Sequence, residues 1–344
     1  MKKFSILVSL AVALLVALCT TSCNTFDDSV GKPTPEAEYY VATIGFGGEI
    51  EVGYEPLARS NDNNDLYGIN VYSAPATYVG ETPTWEPYAC GLFDNVDNVS
   101  INLLIGYQYK FVASMVKDGK EKIRTSSGDN QYDAPFERLL GNSQLSTSVN
   151  NNFTYGLGYM YGLYSGFTWL KSNGDGFYRP NAERYYGELE GYIPGDNGGK
   201  AKIQMKRTSF GAKFIAKGNN SFDGTLSIQI QDAPLIEQNL AESTQIFDVF
   251  TFHDVRDAWL DSNYSETVSV VLNHIRTDNT MLPLGTHSVT FKRNATAVIN
   301  VHIGDGGEES GVGFEILDEG EMTDDTEYTV ENGEIVETEV GTNK

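Results

Sequence analysis

The chain has 344 residues, 40% of them hydrophobic, enough for two cores of ordinary domain size, which excludes a disordered protein. Asp and Glu number 47 against 24 Lys and Arg, a net charge of -23, so phosphate backbones repel it and nucleic acid is excluded as a partner. The 35 glycines, with 20 Tyr and 17 Phe, are the composition of many short strands joined by tight turns, so the expected fold class is all-β.

Lys2 and Lys3 precede an apolar run from Phe4 to Leu18, followed by Thr20, Thr21, Ser22 and Cys23, the layout of a secretory signal peptide over residues 1–22. The run is shorter than the ~20 residues a membrane span needs, so export with removal is expected rather than a permanent anchor. A cysteine directly after a small residue at this point resembles the lipobox of bacterial lipoproteins, although Thr20 stands where that motif usually has Leu. The resemblance implies cleavage before Cys23 and a diacylglycerol on its thiol, with acyl chains of the palmitate kind anchoring the protein to the outer membrane. Cys19 is the poorer candidate because Leu18 precedes it. With Cys19 removed and Cys23 acylated, Cys90 is the one thiol left, so no intrachain disulfide forms and stability must come from packing. Nothing near Cys90 in sequence would lower its pKa, so it is expected as a small buried apolar residue.

Residues 23–38, with Pro33 and Pro35, form a polar tether. Asp27 and Asp28 resemble the surface-export signal of lipoproteins in the Bacteroidota, and Asp28-Ser29-Val30 resembles the O-glycosylation acceptor of that phylum. Residues 39–185 are expected as a first β-sandwich and 186–304 as a second. Tyr39 to Val52 alternates apolar positions around Gly45, Gly47 and Gly48, a strand with a bend. Behind it a polar loop, Pro56 to Asp65, presents a single basic residue, Arg59, where a protease can enter. Strands follow at 66–72, 99–105, 107–116 and 120–124, the last pair joined by an Asp118-Gly119 hairpin turn. Between Phe153 and Tyr192, 12 of 40 residues are aromatic and interleaved with Gly, which predicts cross-strand aromatic pairs or, alternatively, a stacking platform for sugars built on Tyr159, Tyr161 and Trp169. Further strands are expected at 186–192, 200–206, 209–217, 225–231, 267–275, 285–292 and 295–303, with one short helix near Asp254 to Leu260. Residues 305–344 hold 14 acids and one lysine, an acidic tail. Within it, Tyr328 to Val336 brackets Asn332-Gly333, a hairpin signal, while Val336, Thr338 and Val340 share one face of a potential donor strand.

No chemistry of an enzyme rises above background. The four histidines stand on separate elements without His-x-x-x-His spacing, so no metal site is expected. Residues 195–201 lack the Gly spacing of a phosphate loop, and Ala201 stands where a magnesium-binding hydroxyl belongs. Gly45-Phe46-Gly47-Gly48 fails the dinucleotide fingerprint. No cofactor is expected.

Three segments together resemble the fimbrillin-like lipoproteins of the Bacteroidota, which include type V pilus subunits and related cell-adhesion proteins. They are Asp65 to Tyr72; Tyr88 to Asp94 with Gly106 to Val112; and Met205-Lys206-Arg207 with Phe210 to Phe214. The resemblance spans roughly residues 37 to 303 and implies two transthyretin-like β-sandwiches in series. It also implies a surface-exposed, non-enzymatic adhesin or pilus subunit in which an arginine-specific protease cuts after the first strand, here between Arg59 and Ser60. The partners it implies are other fimbrillin subunits and host or microbial surface glycans or proteins. A carbohydrate-binding surface lipoprotein is the alternative from a different class.

Overall fold

A computed structural model describes residues 38–48, 64–76 and 82–303, apart from positions 98, 127, 129, 141–142, 157, 159, 196–198 and 219–222, and the backbone of 314–321, 328–331 and 334–337. Cys23, Arg59, Ser60, Tyr159, Thr338 and Val340 lie outside the described residues.

The chain is all-β. Its first strands are β1 (Tyr39–Gly48), β2 (Leu66–Pro75), β3 (Glu86–Phe93), β4 (Ser100–Leu104) and β5 (Tyr107–Val116), then a helical turn, α1 (Gly119–Lys122). Short pieces follow as β6 (Gln131–Tyr132), β7 (Arg138–Leu140), β8 (Ser143–Leu145), β9 (Thr147–Ser148), β10 (Thr154–Tyr155), β11 (Thr168–Trp169) and β12 (Gly176–Phe177). The long strands β13 (Arg184–Tyr192) and β14 (Lys200–Arg207) complete an eight-stranded sheet in the order β10-β3-β2-β5-β13-β14-β1-β4. The sheet wraps one core. Alternate residues of β2 (Ile69, Val71), β5 (Tyr109, Phe111, Ala113, Met115), β14 (Ala201, Ile203, Met205), β4 (Ile101, Leu103) and β1 (Ala42, Ile44) bury their side chains together. The outer face of β2, β3 and β5 is covered by the connection from α1 to β13, through Ile123, Tyr132, Phe136, Tyr161 and Leu163.

The expected step from first to second sandwich at 185/186 falls inside β13, whose neighbours β5 and β14 belong to this first sheet. The change of core comes at Thr208. From there run β15 (Ser209–Lys217), β16 (Thr225–Ile230), β17 (Ile236–Asn239), β18 (Gln245–Thr251), α2 (Val255–Leu260), β19 (Ser265–Ile275), β20 (Met281–Lys292), β21 (Ala295–His302) and β22 (Phe314–Glu321). Two four-stranded sheets, β18-β15-β21-β22 and β17-β16-β19-β20, face each other across Phe210, Phe214, Phe250, Ile228, Val270, Phe291 and Ile299. Phe210 stacks on Phe291 at 4.3 Å between ring centroids and lies 4.9 Å from Phe252. Last, β23 (Tyr328–Glu331) and β24 (Glu334–Glu337) pair antiparallel about residues 332–333.

The expected hairpin at Asp118-Gly119 is replaced by α1. Both edges of β5 are already occupied, by β2 and β13, so no returning strand can pair with it. Instead the Asp118 N–H donates to Asp65 Oδ1 at 2.9 Å, and the Lys122 and Ile123 N–H groups close onto the Asp118 and Gly119 carbonyls. The acidic segment is also less tail-like than expected, because residues 314–321 pair antiparallel with β21.

Candidate functional site

Two places in the first sheet could carry function. The first is the seat of β1. This strand runs parallel to β14, from Thr43 opposite Lys200 to Gly48 opposite Met205, and its other neighbour in the sheet is β4. The Ile44 N–H donates to the Val99 carbonyl at 2.8 Å. Period two is clean, with Ala42 and Ile44 in the core and Val41 63% exposed. Gly199, at φ +79°, opens the start of β14 for Tyr40: a Cβ there would stand 2.7 Å from the Tyr40 hydroxyl. β1 is thus an interior strand, bonded on both sides to elements distant in sequence.

The second place is a cavity of about 220 Å³ on the outer face of the same sheet, lined by Asn70, Tyr72, Trp85, Lys110, Val112, Tyr164, Tyr186, Glu188 and Arg256. Strand register brings them together. Asn70 lies opposite Val112 and Tyr72 opposite Lys110 across β2 and β5, and Glu188 lies opposite Val112 across β5 and β13. These positions alternate with the core residues Ile69, Val71, Tyr109 and Phe111, so they must point outward. Within the lining, the Glu188 carboxylate accepts from Tyr186 Oη at 2.6 Å and Arg256 Nε at 2.7 Å, and pairs with Lys110 Nζ at 2.8 Å. Burial alone would raise the Glu188 pKa, but the bonds from Arg256, Lys110 and Tyr186 hold it below the usual carboxylate value. Burial pushes the Tyr72 hydroxyl up, with Tyr164 adding to the effect and Asn70 opposing it.

The rim is held by an unusual group. Arg184 is fully buried, and its guanidinium donates to Ser114 Oγ at 2.8 Å, Ser165 O at 2.7 Å and Leu163 O at 2.8 Å. Without a carboxylate partner in that set, burial lowers its pKa to about 9. The carbonyl of Tyr164, between those two anchored residues, accepts from the Val255 N–H of α2 at 3.1 Å. The backbone is therefore fixed while the Tyr164 ring is 59% exposed. Helix α2 forms as expected, with the Asp254 side chain capping the Asp257 N–H at 3.1 Å, and presents Arg256 to the cavity.

Sequence reasoning did not find this cavity. Of the three rings of the expected sugar platform, Tyr159 lies outside the described residues and Tyr161 is 3% exposed, its N–H bonded to Asn70 Oδ1 and its ring edge-on to Phe136, so Tyr161 offers no face to a ligand. Trp169 is half-buried under the Arg124 guanidinium, 3.9 Å from the ring centroid. Val336 falls in β24, paired with Thr329 across the hairpin that the Asn332-Gly333 pair signalled.

No protein-family model matches the sequence, and no curated protein matches it. Solved structures do. A candidate cell adhesion protein from Bacteroides uniformis matches over 81% of this chain and 98% of its own, at 12% identity and a TM-score of 0.32. A candidate adhesin from Bacteroides ovatus matches over 85% and 98%, at 11% identity and 0.37. The fimbrial anchor protein Mfa2 from Porphyromonas gingivalis matches over 88% and 98%, at 9% identity and 0.33. These names belong to the neighbours and give this chain neither a family nor a role. At such identities and scores, ligands and assembly do not carry across.

Proposed function

We propose that the protein is a surface-exposed, non-enzymatic lipoprotein of the fimbrillin-like type, an adhesin or pilus subunit delivered on a lipid at Cys23. Cleavage between Arg59 and Ser60 then frees β1, and a strand from another subunit takes its place. The observation that supports this reading is the position of β1 between β14 and β4. Losing an edge strand would leave one unpaired ladder. Losing β1 leaves two, above a floor of Ile101, Leu103, Ala201 and Ile203, and such a groove takes a donor strand by backbone pairing and alternate side chains together. The C-terminal face of Val336, Thr338 and Val340 is one candidate donor.

The test is mass spectrometry of the protein recovered from the cell surface. The precursor should carry a diacylglycerol on Cys23, and assembled material should begin at Ser60. Assembled protein that retains residues 39–48 would overturn strand exchange, and a mature Cys23→Ala variant that fractionates with membranes as wild type does would overturn the anchor.

A further inference from the structure

The cavity at Tyr72, Trp85 and Tyr164 has the chemistry of a ligand site, and nothing in the fold requires it. Its lining combines aromatic rings with a carboxylate, an ammonium and a guanidinium. A purely apolar ligand would take these charges out of water and offer them no hydrogen bonds of its own, at a cost. An anion such as phosphate is also a poor fit. Lys110 and Arg256 are already committed to Glu188, at 2.8 and 2.7 Å, and Lys110 is further shared with Glu190 at 3.3 Å, so an anion would meet a carboxylate along with each cation. The whole chain, at -23, adds to the repulsion.

What remains is a neutral molecule with apolar C–H faces and several hydroxyls that both donate and accept. We propose that this cavity binds a single neutral pyranose ring of a surface glycan, its C–H face against Tyr164 and Trp85 and its hydroxyls on Glu188, Lys110 and Arg256. A volume of about 220 Å³ is below the range of drug-sized pockets and suits one ring rather than an oligosaccharide. Tyr164 is the element that points most directly to a ligand. Arg184 and the helix α2 N–H groups immobilise its backbone on both sides, yet its ring stays in water. An exposed aromatic on a fixed backbone loses little entropy when a ligand stacks on it.

The site lies on the outer face of the sheet and does not depend on strand exchange, so it is tested on the uncut chain. Titration calorimetry with the methyl glycosides of glucose, galactose, mannose, N-acetylglucosamine and glucuronic acid supplies neutral and acidic arms, with quenching of tryptophan fluorescence as a second signal. At least one neutral glycoside should bind with about a 1 mM dissociation constant, the scale of a small ligand gaining roughly 4 kcal/mol. Tyr164→Ala should weaken it about tenfold without shifting the melting temperature, and Trp85→Ala should remove the fluorescence change. Absence of binding by every neutral glycoside would overturn the proposal, as would binding indifferent to both substitutions. Glucuronide bound more tightly than every neutral sugar would overturn the neutral assignment and mark the two cations as available to an acid.

Discussion

Replacing Ile44 by Ala isolates what holds β1 in its seat. Ile44 is 2% exposed and sits over Ala201 in a core with Ile101, Leu103 and Ile203. Cutting a buried Ile back to Ala costs ~2–5 kcal/mol, because the transfer energy of the lost carbons is joined by that of the cavity they leave. While the chain is intact, β1 is tethered by the residues leading to β2, so it refolds into its groove at an effective concentration on the order of millimolar, and the variant should remain folded. Once the loop at Arg59 is cut the tether is gone. The same loss then appears in the dissociation constant, where each ~1.4 kcal/mol is tenfold, giving a strand that leaves at least ~30-fold more readily. The assay is cleavage by an arginine-specific protease, then gel filtration and mass spectrometry of the fragment ending at Arg59 as it separates from the body over time. Val41→Ala, on the exposed face, changes stability by less than ~0.5 kcal/mol and serves as the control. If cut Ile44→Ala protein keeps its fragment as long as the Val41→Ala protein, β1 is not seated through its inward face and the groove argument fails.

Arg184→Ala leaves the Leu163 and Ser165 carbonyls and the Ser114 hydroxyl without this donor, and at ~1–3 kcal/mol for each acceptor left unsatisfied should cost ~2–5 kcal/mol in urea unfolding while releasing the Tyr164 loop to faster hydrogen exchange; wild-type stability and exchange would refute its anchoring role. Gly166→Ala places a Cβ 2.2 Å from the Phe252 carbonyl oxygen and 2.3 Å from that of Tyr178, and should destabilise by ~3 kcal/mol or yield insoluble protein, read from expression and thermal melts. Burial raises the hydroxyl pKa values of Tyr109, Tyr185, Tyr186 and Tyr264 well above the ordinary tyrosine value of about 10. The folded state then binds more protons than the unfolded state above pH 10, so this stability is intact below 10 and lost as the pH climbs. Part of the tyrosinate absorbance should therefore appear only in step with loss of the folded circular-dichroism signal, and ionisation of all 20 tyrosines in a still-folded chain would contradict the burial of these rings.

Elements whose information is local were legible in the sequence. The strands 107–116 and 209–217 have the expected bounds because apolar residues alternate without interruption, and α2 is announced by Asp254 as its cap. Asp118-Gly119 misled because a hairpin needs a free edge on β5, and edge availability is set by β2 and β13 from elsewhere in the chain. Strand β18 was missed: polar residues at 245 and 248 break its pattern, yet it pairs with β15 from Ser209 to Ile215. Tyr161 turns inward for a similar reason. Twelve aromatics within 40 residues suggested one surface, but the connection folds over the sheet and sends Tyr161 inward while leaving Tyr164 outside. The cavity draws on Tyr72, Trp85, Lys110, Tyr164, Glu188 and Arg256, six positions spread over β2, β5, β13, α2 and two connections. The readable trace of it was the outward row of β5 and β13, where Lys110 stands between the core residues Tyr109 and Phe111 and Glu188 between Gly187 and Leu189, a charged pair on one face of two buried strands.

The central claim is that β1 is an exchangeable strand, and SDS gel electrophoresis of protein cut at Arg59 and incubated at high concentration addresses it most directly. Strand exchange predicts SDS-resistant ladders in which the fragment 39–59 has been displaced, with the ladder lost when residues 326–344 are deleted if the tail is the donor. Cut protein that stays monomeric and keeps its first strand would contradict it.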